Sequence, residues 1–356
     1  MTRIYKDTPS DIQRVAEILA GGGIVAVPTE TVYGLAVDAF NTSACQSLFR
    51  LKGRPLSDPL IVHLADGASI GRVAVPNVVA EALAEVFWPG PLTLVLAKNT
   101  ALPEIVTAGL PSVAVRVPGH PALHKVLTQS GLALAAPSAN PFGYVSPTRV
   151  EHILKTFASQ VTDILDGGPC AIGIESTVLD IRDPSRPQIL RPGAVTREQI
   201  EESLGGPVRP PPGHPERERA ETRGMLSPGM LDHHYSPKTP IVVIEKLSPE
   251  RIREARAGRP GRWAAILFRK DEVLAEKLRK LGHGEVFWFT ESGEVCEAAH
   301  GFFDILQTLD SKAFDTLYVE PAGPEGLGAA INDRLARAAA GRGGRGGVRG
   351  KSEGRK

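Results

Sequence analysis

Residues 51–63, LKGRPLSDPLIVH, set Lys52 and Arg54 two positions apart, followed by Asp58 and by His63 within an apolar run. Arginine offers phosphate a planar fork and lysine a point charge, so the pair suits a polyphosphate clamp. The same two residues also fit a helix end carrying favourable cations. Five further stretches share this grammar. In VPTETVYGL, Thr29 and Thr31 flank Glu30 directly after a short apolar run. Short hydroxyls there suit a small polar ligand, or simply cap the next segment. Arg116 lies inside the apolar run 113–117, either on a solvated face or held for an anion. APSANPFGYVSPT carries Ser138, Asn140 and Ser146 in a polar loop. GIESTVLD opens a run with Ser176 and Thr177, and in LRPGAV Arg191 precedes Pro-Gly.

The chain has no G-x-x-x-x-G-K-[ST] loop and no H-E-x-x-H helix. The six stretches therefore read as a binding and positioning site. Its catalysis would come from orientation and charge neutralisation rather than a covalent nucleophile.

The elements that must hold these residues alternate. Ser10 and Gln13 are spaced as a capping box for a first helix, with Ile12, Val15 and Leu19 on one face. IVAVP, LIVHL, LTLVLA, VAVRVP, LALAAP, ESTVLDI and QILRPG read as strands. Helices are expected after Asn41 or Thr42, over NVVAEALAEVFW and over 121–129. The class is α/β, with an open twisted sheet as consistent with mixed as with parallel strands. Residues 205–238 begin as a Pro, Gly and charge-rich linker. A smaller α/β unit follows, with strands IVVI, WAAILF, EVFWFT and TLYVEP. The expected boundaries are 10–204, 205–238, 239–340 and a Gly/Arg tail, 341–356.

Composition excludes several classes. The 356 residues are 42% hydrophobic and 23% charged, a globular balance for two domains. Aromatics at 5% do not advertise base stacking. Cys45, Cys170 and Cys296 are scattered and form no C-x-x-C pair, so they read as small buried residues in a reducing cytoplasm. No apolar run approaches the ~18 residues of a membrane span, and MTRIYKDTPSD does not read as a signal peptide. The last sixteen residues carry six Lys/Arg and one Glu, or +5. With a net charge of +1, the rest is −4. The tail is thus suited to weak RNA contact, or to solvation alone, while an acidic body disfavours nonspecific nucleic-acid binding.

The motifs PTETVYGL, KGR before PL and a His, SVAVRVP-x-HP, PSAN with SPT, ESTV and LRPG occur in the order seen in YrdC-like domains. SPGMLDHHYSP before a small α/β domain resembles the long form of threonylcarbamoyl-AMP synthases. The resemblance spans roughly residues 10 to 338 and implies a YrdC-like sheet around a concave cavity, joined to a Rossmann-like domain. It implies that L-threonine, bicarbonate or CO2 and ATP give threonylcarbamoyl-adenylate and pyrophosphate. That product serves tRNA modification beside the anticodon through a separate transferase complex. Mg2+ is expected with the phosphates, with no dedicated protein cage. Lys52, Arg54 and Arg191 would offset phosphate charge, the first two as catalytic residues. Thr31, His63, Arg116 and Ser176 would hold threonine, with Arg116 on its carboxylate. Ser112, Ser138, Asn140 and Ser146 would line the nucleotide. His233, His234 and Tyr235 resemble the segment covering it. Asp58 stands where the pattern has Asn, and is expected near ribose or a metal-bound water. Two other readings are a carbamoyl-adenylate former, which would carry zinc-finger cysteines, and a non-enzymatic RNA-binding module.

Overall fold

Short apolar runs that end in Gly or Pro become the central strands, and amphipathic segments pack across them. The computed structural model describes residues 2–212 and 235–340. The N-terminal strands are β1 (Arg3–Tyr5), β2 (Val25–Val27), β3 (Gly34–Asp38), β4 (Ile61–His63), β5 (Ala74–Val75), β6 (Leu92–Lys98), β7 (Ser112–Arg116), β8 (Leu134–Ala135), β9 (Asp163–Leu165), β10 (Thr177–Asp180) and β11 (Gln188–Arg191). They form one 11-stranded sheet, ordered β1-β9-β2-β3-β8-β4-β7-β6-β10-β11, with β5 on β6. The sheet is mixed. β4 runs parallel to β7, and β6 to β10, whereas β6–β7 and β10–β11 are antiparallel.

Helices cover this sheet. Ile12, Val15 and Leu19 of α1 (Pro9–Ala20) pack with Leu123, Val126 and Leu127 of α5 (Pro121–Ser130). Leu48 and Phe49 of α2 (Thr42–Lys52) join Val37 and Val62 in the main core. Each such side chain contributes ~1.5–3 kcal/mol on burial. Asn41 caps α2 by accepting from the Ala44 N–H at 3.0 Å. Gly53, at φ 63°, ends it in the left-handed region that favours glycine, and this turns Arg54 back toward the sheet.

Several expectations are corrected here. Thr8, not Ser10, caps α1; its hydroxyl accepts from the Asp11 N–H, and Pro9 starts the helix. β1, which lies upstream of residue 10, pairs with β9 of the same sheet. Cys45 and Cys170 are buried as expected, but Cys296 is exposed. Residues 213–234, with most of the proposed linker and His233 and His234, lie outside the described residues, as does the tail 341–356.

The C-terminal unit is a four-stranded parallel sheet. Its strands, β12 (Ile241–Val243), β13 (Trp263–Arg269), β14 (Gly284–Thr290) and β15 (Thr316–Val319), run in the order β12-β15-β13-β14. Two of its helices matter for the site. They are the sixteen-residue helix Val295–Asp310 and the last described helix, Leu327–Ala340. Phe302 and Phe303 from the first belong to one apolar cluster with Val32, Val145 and Ile174 of the N-terminal unit. The Tyr144 hydroxyl donates to Asp310 at 2.7 Å across the same junction. No helix among the described residues is long and apolar enough to cross a membrane.

Candidate functional site

Strand register sets a polar row on one face of the large sheet. His63 on β4 pairs with Arg116 on β7. One step beyond the Leu94–Val115 pair, Arg116 comes opposite Thr93 of β6. Thr93 pairs with Val178 of β10, and Val178 with Arg191 of β11. Paired residues share a face, so two arginines, a histidine and a threonine look out from the same surface. Below them Ile61, Ala114, Val95, Val178 and Leu190 form a small apolar floor.

Each arginine is held rigidly. Arg116 lies 2.6 Å from the Glu30 carboxylate and donates to Thr31 Oγ1 at 3.0 Å and the Gly90 carbonyl at 3.1 Å. Thr29 makes that turn, since its hydroxyl donates to the Val32 carbonyl and accepts from the Thr31 and Val32 N–H groups. Arg54 lies 2.8 Å from Asp58 and donates to the Asp58 and Pro59 carbonyls at 3.0 and 2.7 Å. Arg191 donates to the Ser176 carbonyl at 2.9 Å and to its hydroxyl at 3.2 Å; that hydroxyl lies 2.8 Å from Thr93 Oγ1.

Burial is the leading electrostatic influence. It lowers the pKa of Arg54 and Arg191, and raises that of Asp58 against the pull of Arg54. It also pushes the His63 imidazole down to about 3, helped by Arg116 and opposed by Glu30. His63 is therefore neutral at pH 7, a hydrogen-bonding group rather than a cation. Its Nδ1 has no partner among the described residues.

These residues line a cavity of about 50 Å3. Thr31, Arg54, His63, Arg116, Ser138, Ser176, Arg191 and Tyr235 contribute to its wall. Lys52, Asp58, Ser112, Asn140 and Ser146 do not. Lys52 is buried, and its ammonium donates to the Ser138 and Asn140 carbonyls, closing the PSAN loop. Asn140 donates to the Tyr144 carbonyl and Ser146 to Glu175, both at 2.6 Å. Ser112 sits on the same face as Arg116, at the other end of β7, about 13 Å away at a strand's usual rise. Its hydroxyl is buried without a partner among the described residues. Glu175 lines the cavity, and no role was expected for it. A larger cavity of about 680 Å3, lined by Ile70, Glu81, Ala84, Trp88 and His124, lacks converging cations. Volume alone thus does not mark the site.

The arrangement gathers guanidinium, imidazole and hydroxyl groups around one cavity. Residues 17–193 match the family described as Telomere recombination, and residues 195–340 match the family described as Threonylcarbamoyl-AMP synthase, C-terminal domain. A threonylcarbamoyl-AMP synthase of Bacillus subtilis is 39% identical over 340 residues, covering 93% of this chain and 93% of the relative. One from Pyrococcus abyssi is 36% identical, covering 92% and 93%. A crystal structure of Pyrococcus abyssi Sua5 complexed with L-threonine superposes with a TM-score of 0.83 at 34% identity. It covers 95% of this chain and 98% of that one. In its long, two-domain form, the chain belongs to the threonylcarbamoyl-AMP synthase family.

Proposed function

We propose that the polar row across β4, β7, β6, β10 and β11 is where threonine, bicarbonate and ATP meet. The family reaction is a nucleotidyl transfer. Threonine, bicarbonate and ATP give threonylcarbamoyl-adenylate, pyrophosphate and water. In that sequence the threonine nitrogen takes up the one-carbon unit to form a carbamate. A carbamate oxygen then attacks the α-phosphorus, and pyrophosphate leaves with the bonding electrons.

The supporting observation is the placement of two fixed guanidinium groups on one sheet face, with neutral His63 beside one of them. Arg116 would take the threonine carboxylate, with Thr31, His63 and Ser176 around it. Arg54 and Arg191 would offset phosphate charge, while Ser138, Tyr235 and the unpartnered Ser112 hydroxyl bound the nucleotide. Lys52, Asp58, Asn140 and Ser146 would serve one layer back. Lys52 reaches a phosphate only by releasing its two carbonyls.

Among the described residues no group of three His, Cys, Asp or Glu side chains is set to hold a metal ion. Mg2+ would enter as part of the nucleotide substrate. The product would pass, in the cytoplasm, to a separate transferase that modifies tRNA beside the anticodon. Pyrophosphate release from ATP and bicarbonate, with and without L-threonine, tests the reading. Threonine-dependent release supports it. Release indifferent to threonine rejects threonine as substrate and favours a simple carbamoyl-adenylate former.

A further inference from the structure

We propose that Arg334, on the last described helix of the C-terminal domain, is a positioning residue for the cavity of the N-terminal domain. The inference rests on reading that cavity as the threonine and ATP site.

Arg334 is fully buried, at 0% exposure. It sits on the apolar stripe of its helix, with Ile331, Leu335 and Ala338 as buried neighbours in spacing. A charge in such a place is costly unless it is paired and hydrogen-bonded. Arg334 has both. Its Nε lies 3.0 Å from Glu175 Oε2, its Nη1 donates to the Pro192 carbonyl, and Asp333 Oδ2 is 3.2 Å away. The guanidinium also lies over the Tyr235 ring, 5.5 Å from its centroid. Burial opposes its charge, yet Tyr235, Glu175 and Asp333 together hold its pKa above the ordinary arginine value.

What singles this contact out is the position of its partners. Glu175 precedes Ser176, and Pro192 follows Arg191. Tyr235 lines the cavity itself. One guanidinium therefore ties the start of β10 to the end of β11, where the site places its central serine and one of its arginines. The two segments are already in close contact. A Cβ on Gly193 would lie 2.3 Å from the Thr177 nitrogen and 2.4 Å from the Ser176 carbonyl carbon. The second Glu175 oxygen accepts from Ser146 at 2.6 Å and draws in a third segment. Simple adhesion between the domains is supplied elsewhere, by Phe302 and Phe303 against Val32, Val145 and Ile174. Arg334 instead bonds to Glu175, which lines the cavity, and to the Pro192 carbonyl, next in the chain to the wall residue Arg191. The planar fork fixes their relative angle in a way an apolar contact does not.

The test uses the full chain and measures pyrophosphate release against threonine and ATP concentration for wild type, Arg334→Met and Arg334→Lys. Far-UV circular dichroism checks folding. Arg334→Met should raise the threonine KM by ~10-fold or more, with a smaller fall in kcat, because Ser176 loses its fixed place. Arg334→Lys should lie between, since it restores charge to Glu175 without the fork to Pro192. A residue needed only for folding would reduce active enzyme, lowering kcat at unchanged KM. That outcome, or wild-type kinetics in Arg334→Met, overturns the inference. If Arg334→Met does not fold, Arg334→Lys decides, and a wild-type KM in it overturns the inference. Absence of threonine-dependent release in wild type rejects the underlying reading of the cavity, and the inference with it. Activity in wild type with unmoved KM in the variants rejects Arg334 alone.

Discussion

The two sheets of this chain treat charge in opposite ways. In the N-terminal sheet, Arg54–Asp58 and Arg116–Glu30 are buried at the strand ends, 2.8 and 2.6 Å apart. In the C-terminal sheet the interior is aromatic. Trp263 meets Tyr318 edge-on at 6.2 Å, and Phe289, Phe302 and Phe303 stack in sequence. There the ion pairs, such as Arg262–Glu285 at 3.2 Å, are about half exposed. Buried ion pairs are poor value for stability against apolar packing of equal volume. The N-terminal sheet retains them where a ligand must find fixed charge, and the C-terminal sheet does without. On the last described helix Arg334 and Arg337 are buried beside Asp333, and Arg334 joins the two units.

Four variants break or sharpen this contrast, from the largest effect down. Arg116→Met strands the Glu30 carboxylate. Denaturant titration should show a loss of ~3–5 kcal/mol, and threonine-dependent pyrophosphate release should fall by ~10^3. Retention of activity would remove Arg116 from the threonine site. Lys52→Met leaves two carbonyls short of a donor. Stability should drop by ~1–3 kcal/mol, and the ATP KM should rise through a loosened PSAN loop. A fall in kcat with no loss of stability would return Lys52 to the phosphates.

The third test uses pH. Folded His63 has its pKa near 3, below the ordinary 6.5, so between those values the unfolded chain binds the extra proton. Its contribution to stability is present above about pH 6.5 and is lost as pH falls toward 3, at up to ~1.4 kcal/mol per pH unit. His63→Gln should flatten that slope in paired urea titrations at pH 5 and pH 7. An imidazole carbon shift that titrates near 6.5 would show the ring to be solvated. The smallest effect is the control. Arg262→Met should cost no more than ~1 kcal/mol and leave pyrophosphate release unchanged.

Much of this was legible in the sequence, for identifiable reasons. LIVHL and VAVRVP announced buried strands because the apolar runs end at Gly or Pro, and the residues at those ends became the wall. Three-residue strands such as β1 and β9 carry too few positions to show a period, so the first sheet edge escaped notice. The spacing of Ser10 and Gln13 imitated a capping box, but Pro9 fits the first helical turn and moves the cap to Thr8. Residue type shows charge and not direction, so the contacts of the Lys52 ammonium were not legible. Its carbonyl partners are more than eighty residues away in the chain. Glu175 and Arg334 were visible but unread. A readable signal existed, since an arginine falls on the apolar stripe of AAINDRLARAAA, where a solvated helix would have placed it opposite.

The clamp on Glu175 also has a meaning in time. On the ribosome the cavity walls other than Tyr235 are complete in sequence once Arg191 to Gly193 have emerged, but Arg334 follows 141 residues later (334 − 193). At usual elongation rates that is a delay of roughly ten to thirty seconds. For that interval the Glu175 carboxylate of the nascent N-terminal unit still awaits its cation, so the Glu175–Arg334 pair can close only as synthesis passes residue 334.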